Sequence, residues 1–241
     1  MAESLTDIKK VEDLIKAFVN NNYIIDSRPY ALNILGVRNP NTIANKFDDA
    51  IYVLFIDDKK KWNAIKYKAT TDPGTYWLKN PLSKLGTAIL KAGQYKDAYE
   101  IGYHNRSKQP PRKHLALVQR GNVTVMRDYD RNSTLDFLSP REETGNNFGI
   151  NIHRAAAQGE TLDVGQFSAG CQVFADANDQ AEFMKLAEKH AGLYGNSFTY
   201  TLIDEREIEK GKTRNNIFII GGGILIFSYF LFTNYKGLKN V

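Results

Sequence analysis

The chain contains a single cysteine, Cys171, in the stretch NIHRAAAQGETLDVGQFSAGCQVF, residues 151–174. His153 stands upstream, and fourteen residues separate it from Ser168, which is followed by Ala169, Gly170 and Cys171. A free thiol titrates near 8.5, so only a few per cent is thiolate at neutral pH. An imidazole beside it remedies this by taking the proton or by pairing with the thiolate. Gly170 lets the backbone approach a substrate closely, and successive N–H groups around it can receive a developing oxyanion. Ser168 is suited to orienting the loop through a side-chain-to-backbone bond. Together these are the parts for acyl transfer through a thioester. The competing reading is packing, because a lone cysteine among small apolar residues is an ordinary core filler.

A second constellation is DYDRNSTLDF. Asp128, Asp130, Asn132 and Asp136 follow a D-x-D-x-N-x-x-x-D spacing, the oxygen pattern that opens a calcium loop. Ser133 stands where such loops prefer Gly, and Ser139 where they carry Glu. A structural calcium ion and a polar hairpin turn are both expectations of this stretch. The remaining histidines carry less. His104 and His114 flank a loop rich in proline and base (Arg106, Lys108, Arg112, Lys113), read as a solvated connection. His190 falls late in a helical pattern, on its surface and near the C-terminal end of the dipole.

The elements that position these groups follow from pattern. Hydrophobic residues make up 42% and charged residues 24%, enough for a folded core. The net charge of +5 is compatible with an anionic wall or membrane, and neither it nor any motif argues for nucleic acid. One cysteine excludes an internal disulfide and a multi-cysteine zinc site. Leu5, Ile8, Val11, Leu14, Ile15, Phe18 and Val19 recur at helical spacing, with Ser4 or Thr6 as the cap. From Asp26 the texture becomes short β-like runs: AIYVLFID paired with KWNAIKYKAT, then GTAIL, then HLALVQ and VTVMRDY joined by RGN as a hairpin. GINIHR and CQVF read as short strands at the site. ANDQAEFMKLAEKHAG is a helix stopped by Gly192, and SFTYTLID is a closing strand.

The fold class expected is therefore mostly β, a mixed barrel or sandwich with an N-terminal helix, one late internal helix and a C-terminal transmembrane helix. The organisation is an amphipathic helix over 1–25, a catalytic domain over 26–204, a polar linker over 205–216, a membrane anchor over 217–235 and a basic tail over 236–241. No secretory signal is read, since no apolar run follows the charges of the first ten residues. The 19 residues Ile217–Tyr235 are uncharged and as a helix rise about 28 Å, close to the hydrocarbon thickness of a bilayer. The expected location is thus a single-pass membrane protein. Lysines and an arginine flank both ends of that segment and leave its orientation open.

The His-x14-Ser-Ala-Gly-Cys pattern resembles the signature of L,D-transpeptidases of the YkuD type, in which a histidine precedes a Ser/Thr-His-Gly-Cys run. FGINIHR is similar to that family's Gly-Ile-x-Ile-His strand. KHLALVQRGNVTVMRDY, TTDPGTYWL, GTAILKAGQYKDAYEIG and the helix-plus-strand at 176–204 are looser matches, covering residues 50 to 204. The resemblance implies that Cys171 attacks a carbonyl of a peptidoglycan stem peptide and that His153 serves as base and then acid. The Gly170 and Cys171 amides would hold the oxyanion, with no cofactor required. Attack by an amine on the thioester gives a cross-link, and attack by water gives a cut. The chain departs from the pattern at Ala169, where the family carries a histidine, and at Gln172 and Val173. The implied partners are stem peptides and a lipid membrane, in a cell envelope or in a virion that opens a host wall. An inert membrane-tethered protein that keeps the fold is the alternative.

Overall fold

The computed structural model describes residues 2–5, 7–211, 216–220 and 223–227. In chain order these form β1 (Glu3–Ser4), α1 (Ile8–Asn20), β2 (Asn33–Arg38), β3 (Asp49–Ile56), β4 (Trp62–Thr70), α2 (Thr75–Lys79), β5 (Thr87–Leu90), β6 (Gly93–His104) and β7 (His114–Gln119). Then come β8 (Val123–Asp128), β9 (Glu142–Gly145), β10 (Ile152–Arg154), β11 (Gln172–Phe174), α3 (Ala177–Tyr194), β12 (Phe198–Asp204), α4 (Glu205–Gly211), β13 (Asn216–Ile220) and β14 (Gly223–Phe227). The protein is mostly β, as its sequence pattern indicates.

The largest sheet runs β1-β4-β11-β10-β7-β6-β12-β2-β3, and β3 also pairs with β4. Every strand except β1 therefore belongs to a closed ring, which leaves no open edge in the ring itself. Two pairs are parallel, β10 with β11 and β2 with β12. A smaller sheet, β5-β8-β9, is not hydrogen-bonded into the ring, but its Ala88, Leu90, Val123 and Val125 join the same core.

Alternation sets the two faces. Ile34, Ile51, Val53, Phe55, Tyr67 and Ala69 point into the main core, joined by Phe174, Tyr99 and Tyr200 and by Phe183, Met184 and Ala187 of α3. Tyr67 meets Phe174 edge-on with ring centroids 5.4 Å apart. Leu35, Val37, Leu54 and Ile203 point the other way and are covered by Val11, Leu14, Ile15 and Phe18 of α1. Covering both faces explains why β2 and β3 read as continuous apolar runs rather than as alternating ones.

Several expectations need correction. Asp7, rather than Ser4 or Thr6, caps α1, its carboxylate accepting from Lys9 N–H; Thr6 lies outside the described residues. β7 and β8 do not form a hairpin. Arg120 and Gly121 N–H both donate to Ala98 C=O, turning the chain out of the ring and into the smaller sheet. α3 continues past Gly192 to Tyr194 and stops at Gly195, whose φ of 95° needs glycine. His190 is buried, not on the surface, and its Nδ1 accepts from Leu32 N–H at 3.0 Å. Part of the expected linker is the helix α4.

Within the segment 217–235, where a transmembrane helix is expected, the described residues belong to β13 and β14. β13 and β14 pair antiparallel, Ile217 opposite Ile226. The many β-branched and aromatic residues of this segment suit a ladder, which satisfies the backbone as a helix would. Residues 221–222 and 228–235 lie outside the described residues, and no helix among the described residues is long and apolar enough to cross a membrane.

Candidate active site

Two three-residue strands carry the site. β10 and β11 lie parallel, with Ile152 opposite Gln172 and His153 opposite Val173. Gln172 N–H donates to Asn151 C=O at 2.9 Å and Ala155 N–H to Phe174 C=O at 3.0 Å, lengthening the ladder at both ends. A parallel pair cannot be joined by a tight turn and needs a crossover of about a dozen residues or more. Residues 155–171 are that crossover, which gives the His-x14-Ser spacing a structural cause. The crossover is pinned along its length. Gly165 N–H donates to Asn45 Oδ1 at 2.6 Å, and Trp77 Nε1–H to Gln166 C=O at 3.0 Å. Gly74 N–H donates to Ser168 C=O at 2.9 Å.

Residues opposite each other in a ladder share a face, and the face alternates along each strand. Cys171 precedes Val173 by two, so it shares a face with His153 as its diagonal neighbour. The packing agrees. Cys171, Val173, Ala175 and Ala155 cluster with Phe47 and Val164, whereas Ile152 and Phe174 enter the main core. Cys171 is 9% exposed. Its Sγ–H donates to Gly149 C=O at 3.3 Å. Burial pushes the thiol up to about 11, while the Asn151 backbone N–H directed at the sulfur pulls the other way. In the resting protein burial thus favours the neutral thiol, bonded to a carbonyl.

His153 is also buried. Its Nδ1 lies 2.7 Å from Arg154 C=O. A carbonyl only accepts, so Nδ1 carries the hydrogen and the neutral ring keeps its lone pair on Nε2. That Nε2 has no hydrogen-bond partner among the described residues. Burial first, and then the neighbouring His104, hold the ring well below the ordinary imidazole range, against the Arg154 carbonyl. At neutral pH, His153 is an uncharged ring with one free acceptor.

The loop before the cysteine is built around Ser168. Its Oγ–H donates to Cys171 C=O at 2.8 Å and its oxygen accepts from Gly170 N–H at 3.2 Å. The Gly170 amide is thus spent on Ser168 rather than held for an oxyanion, which leaves Cys171 N–H as the donor of the expected pair. Gly170 has a φ of 119°, and a Cβ there would stand 2.3 Å from Ala88 C=O. Its place is set by close approach to β5. Gln172 is fully buried. Its Nε2–H donates to Gly170 C=O at 3.2 Å and its Oε1 accepts from Tyr200 Oη–H at 2.8 Å, tying the loop to the ring interior. Beside Ala169 opens a cavity of about 360 Å³, walled by Trp77, Ala88, Arg127, Glu143 and Phe148. Ala169 contributes a small wall where the resembled family carries an imidazole.

Several DYDRNSTLDF oxygens serve local turns, while the buried Asp128 Oδ1 has no hydrogen-bond partner among the described residues. Asp130 Oδ1 accepts from Asn132 N–H, Asn132 Oδ1 from Thr134 N–H, and Asp136 Oδ1 from Leu138 N–H. Asp128 is buried, its Oδ2 accepting from Asp136 N–H at 3.0 Å. Burial, with the adjacent Asp130 and Asp136 charges, pushes it up to about 6. Among the described residues no group of three or more His, Cys, Asp or Glu side chains is arranged to hold a metal ion.

Sequence reasoning missed the surroundings of His153. His104 closes β6 and His114 opens β7, directly opposite in register. His104 stacks on His153 with centroids 3.8 Å apart, and His114 lies 5.9 Å from it. The sequence carried a signal for the His104–His114 pair alone, since two histidines that flank one hairpin loop can fall opposite each other. Comparison with protein-family models, with curated proteins and with solved structures finds no match to this chain.

Proposed function

We propose that the protein is a cysteine acyltransferase or hydrolase that acts on peptidoglycan stem peptides through a Cys171 thioester, with His153 as the base. The observation that supports this reading is the parallel strand pair, whose alternation puts the one thiol on the same face as an imidazole with a fixed tautomer and an unpartnered Nε2. The thiol leaves Gly149 C=O as substrate enters, and its proton passes to His153 Nε2 as the sulfur–carbon bond forms. A neutral thiol and a neutral imidazole at rest favour this coupled transfer over a standing ion pair. Cys171 N–H meets the growing negative charge on the carbonyl oxygen. His153 then returns the proton to the leaving amine. Water or an acceptor amine resolves the thioester, giving a cut or a cross-link. The cavity beside Ala169, with Trp77 and Phe148 as apolar walls and the Arg127–Glu143 pair as polar ones, suits a peptide carrying both charges. Membrane association through the apolar residues of 217–235, in a cell envelope or a virion, completes the reading.

The choice of stem peptides as substrate rests on the sequence resemblance, and the chemistry rests on the geometry. A second reading, an inert tethered protein, is favoured by the burial of Cys171 and by its bond to Gly149 C=O. A β-lactam of the carbapenem class separates the two. Acylation of wild-type protein, read as a mass increase located on Cys171 and abolished in His153→Ala, supports the enzyme. An unmodified Cys171 after prolonged exposure supports the scaffold.

A further inference from the structure

The three histidines at this end of the ring have partners that dictate where their hydrogens sit. Gln119 N–H donates to Asn151 Oδ1 at 2.9 Å, which fixes the orientation of that amide. Asn151 Nδ2 then faces His104 Nδ1 at 3.0 Å. An amide nitrogen only donates, so His104 Nδ1 must be the lone-pair nitrogen. Protonating His104 there would set two donors against each other. The stacked face of that ring lies on His153 at an interplanar angle of 15°.

We propose that Asn151 and His104 are positioning residues for His153: the Asn151 amide holds His104 as a neutral ring, and that ring braces the base flat with its Nε2 uncharged and free. The inference rests on reading Cys171 and His153 as the reacting pair. It goes beyond that reading by assigning a role to two residues that do not touch substrate.

The charged and titratable groups acting on His153 are His104 from β6, His114 from β7 and Arg154 from its own strand. α3 faces this region with Gln180, an amide whose Nε2–H donates to Leu115 C=O at 2.9 Å. His114 Nδ1–H donates to Arg112 C=O at 2.9 Å, so it too has a fixed tautomer. A positive charge on any one ring opposes charging of the others. The Asn151 amide controls the ring nearest the base.

The decisive variant is Asn151→Asp, which keeps the side-chain shape and the acceptor for Gln119 N–H while replacing a donor with a carboxylate oxygen. Imidazole nitrogen NMR of the full-length protein over pH 4–8 reads the result without any substrate. In the wild type, His104 stays neutral to about 4. In Asn151→Asp its protonation midpoint should rise by more than about one unit, and the His153 signals should shift with it. An unmoved His104 midpoint in a folded Asn151→Asp protein would overturn the proposal.

The second arm is activity on purified sacculi. His104→Phe, which keeps a flat ring on His153, should retain most of kcat, whereas His104→Ala should lose tenfold or more in kcat with little change in KM. Equal losses in both variants would overturn the bracing role. If Cys171→Ala proves as active as wild type, the functional reading fails while the NMR arm still judges the histidine unit.

Discussion

Cys171 and His153 are diagonal neighbours on one face of a parallel strand pair, yet the thiol donates to Gly149 C=O and not to the imidazole. Both groups rest uncharged because both are buried, and burial penalises the charged form of each. On the proposed reading the proton therefore moves only at the moment of attack, from a neutral thiol to a neutral imidazole.

The first consequence concerns reactivity without substrate. A thiol pushed up to about 11 should be alkylated by iodoacetamide at a rate that climbs about tenfold per pH unit from pH 7 to 10. An ordinary thiol would level off near pH 9. Mass spectrometry over a pH series distinguishes the two curves, and an early plateau would show that the sulfur is better stabilised as thiolate than its surroundings suggest.

Gly170→Ala should destabilise the fold by more than about 1 kcal/mol, because the new Cβ meets Ala88 C=O and the backbone stays at positive φ. Urea unfolding measures it. A neutral result would mean that the loop can move off β5, and with it the sulfur.

Ser168→Ala removes two hydrogen bonds made by a fully buried side chain and should cost roughly 1–3 kcal/mol. Activity should fall by more than stability alone accounts for, since the freed Gly170–Cys171 turn no longer fixes the sulfur. Chemical denaturation and turnover measured on the same preparation separate these effects.

The acidic turn gives a prediction with a definite sign. Asp128 binds its proton more tightly folded than unfolded, so it adds stability below about pH 4 that is lost as pH rises through about 6. Asp128→Asn should therefore raise the thermal midpoint at pH 8 and leave it nearly unchanged at pH 4. A calcium-dependent rise in the wild-type midpoint, absent from the Asn variant, would instead reveal an ion that relieves the crowded carboxylates.

Parts of the fold and the residue types of the candidate site were legible in the sequence, for reasons visible in particular residues. The strands β3, β10, β11 and β12 announce themselves as short β-like runs and β4 as an alternating partner of β3, and Cys171 and His153 stand out by chemical type. The partition of β7 and β8 into different sheets was not legible, because Arg120-Gly-Asn is good hairpin chemistry and only Ala98 C=O, far off in sequence, overrides it. The role of Gly170 was misread in part, since its amide is claimed by a serine two residues away. His190 looked exposed because its nearest acceptor and donor, Ser197 and Leu32, come from outside its own helix. The His104–His153 stack required knowing that β7 lies between β6 and β10, which no local pattern encodes.

The central claim is that one sulfur carries an acyl group taken from a stem peptide. Digestion of purified sacculi by wild-type and Cys171→Ala protein, followed by muropeptide separation, tests it most directly. The account predicts shortened stems or new dimers with the wild type only, while the variant remains folded and yields the profile of untreated wall. Identical product profiles from the two proteins would contradict it.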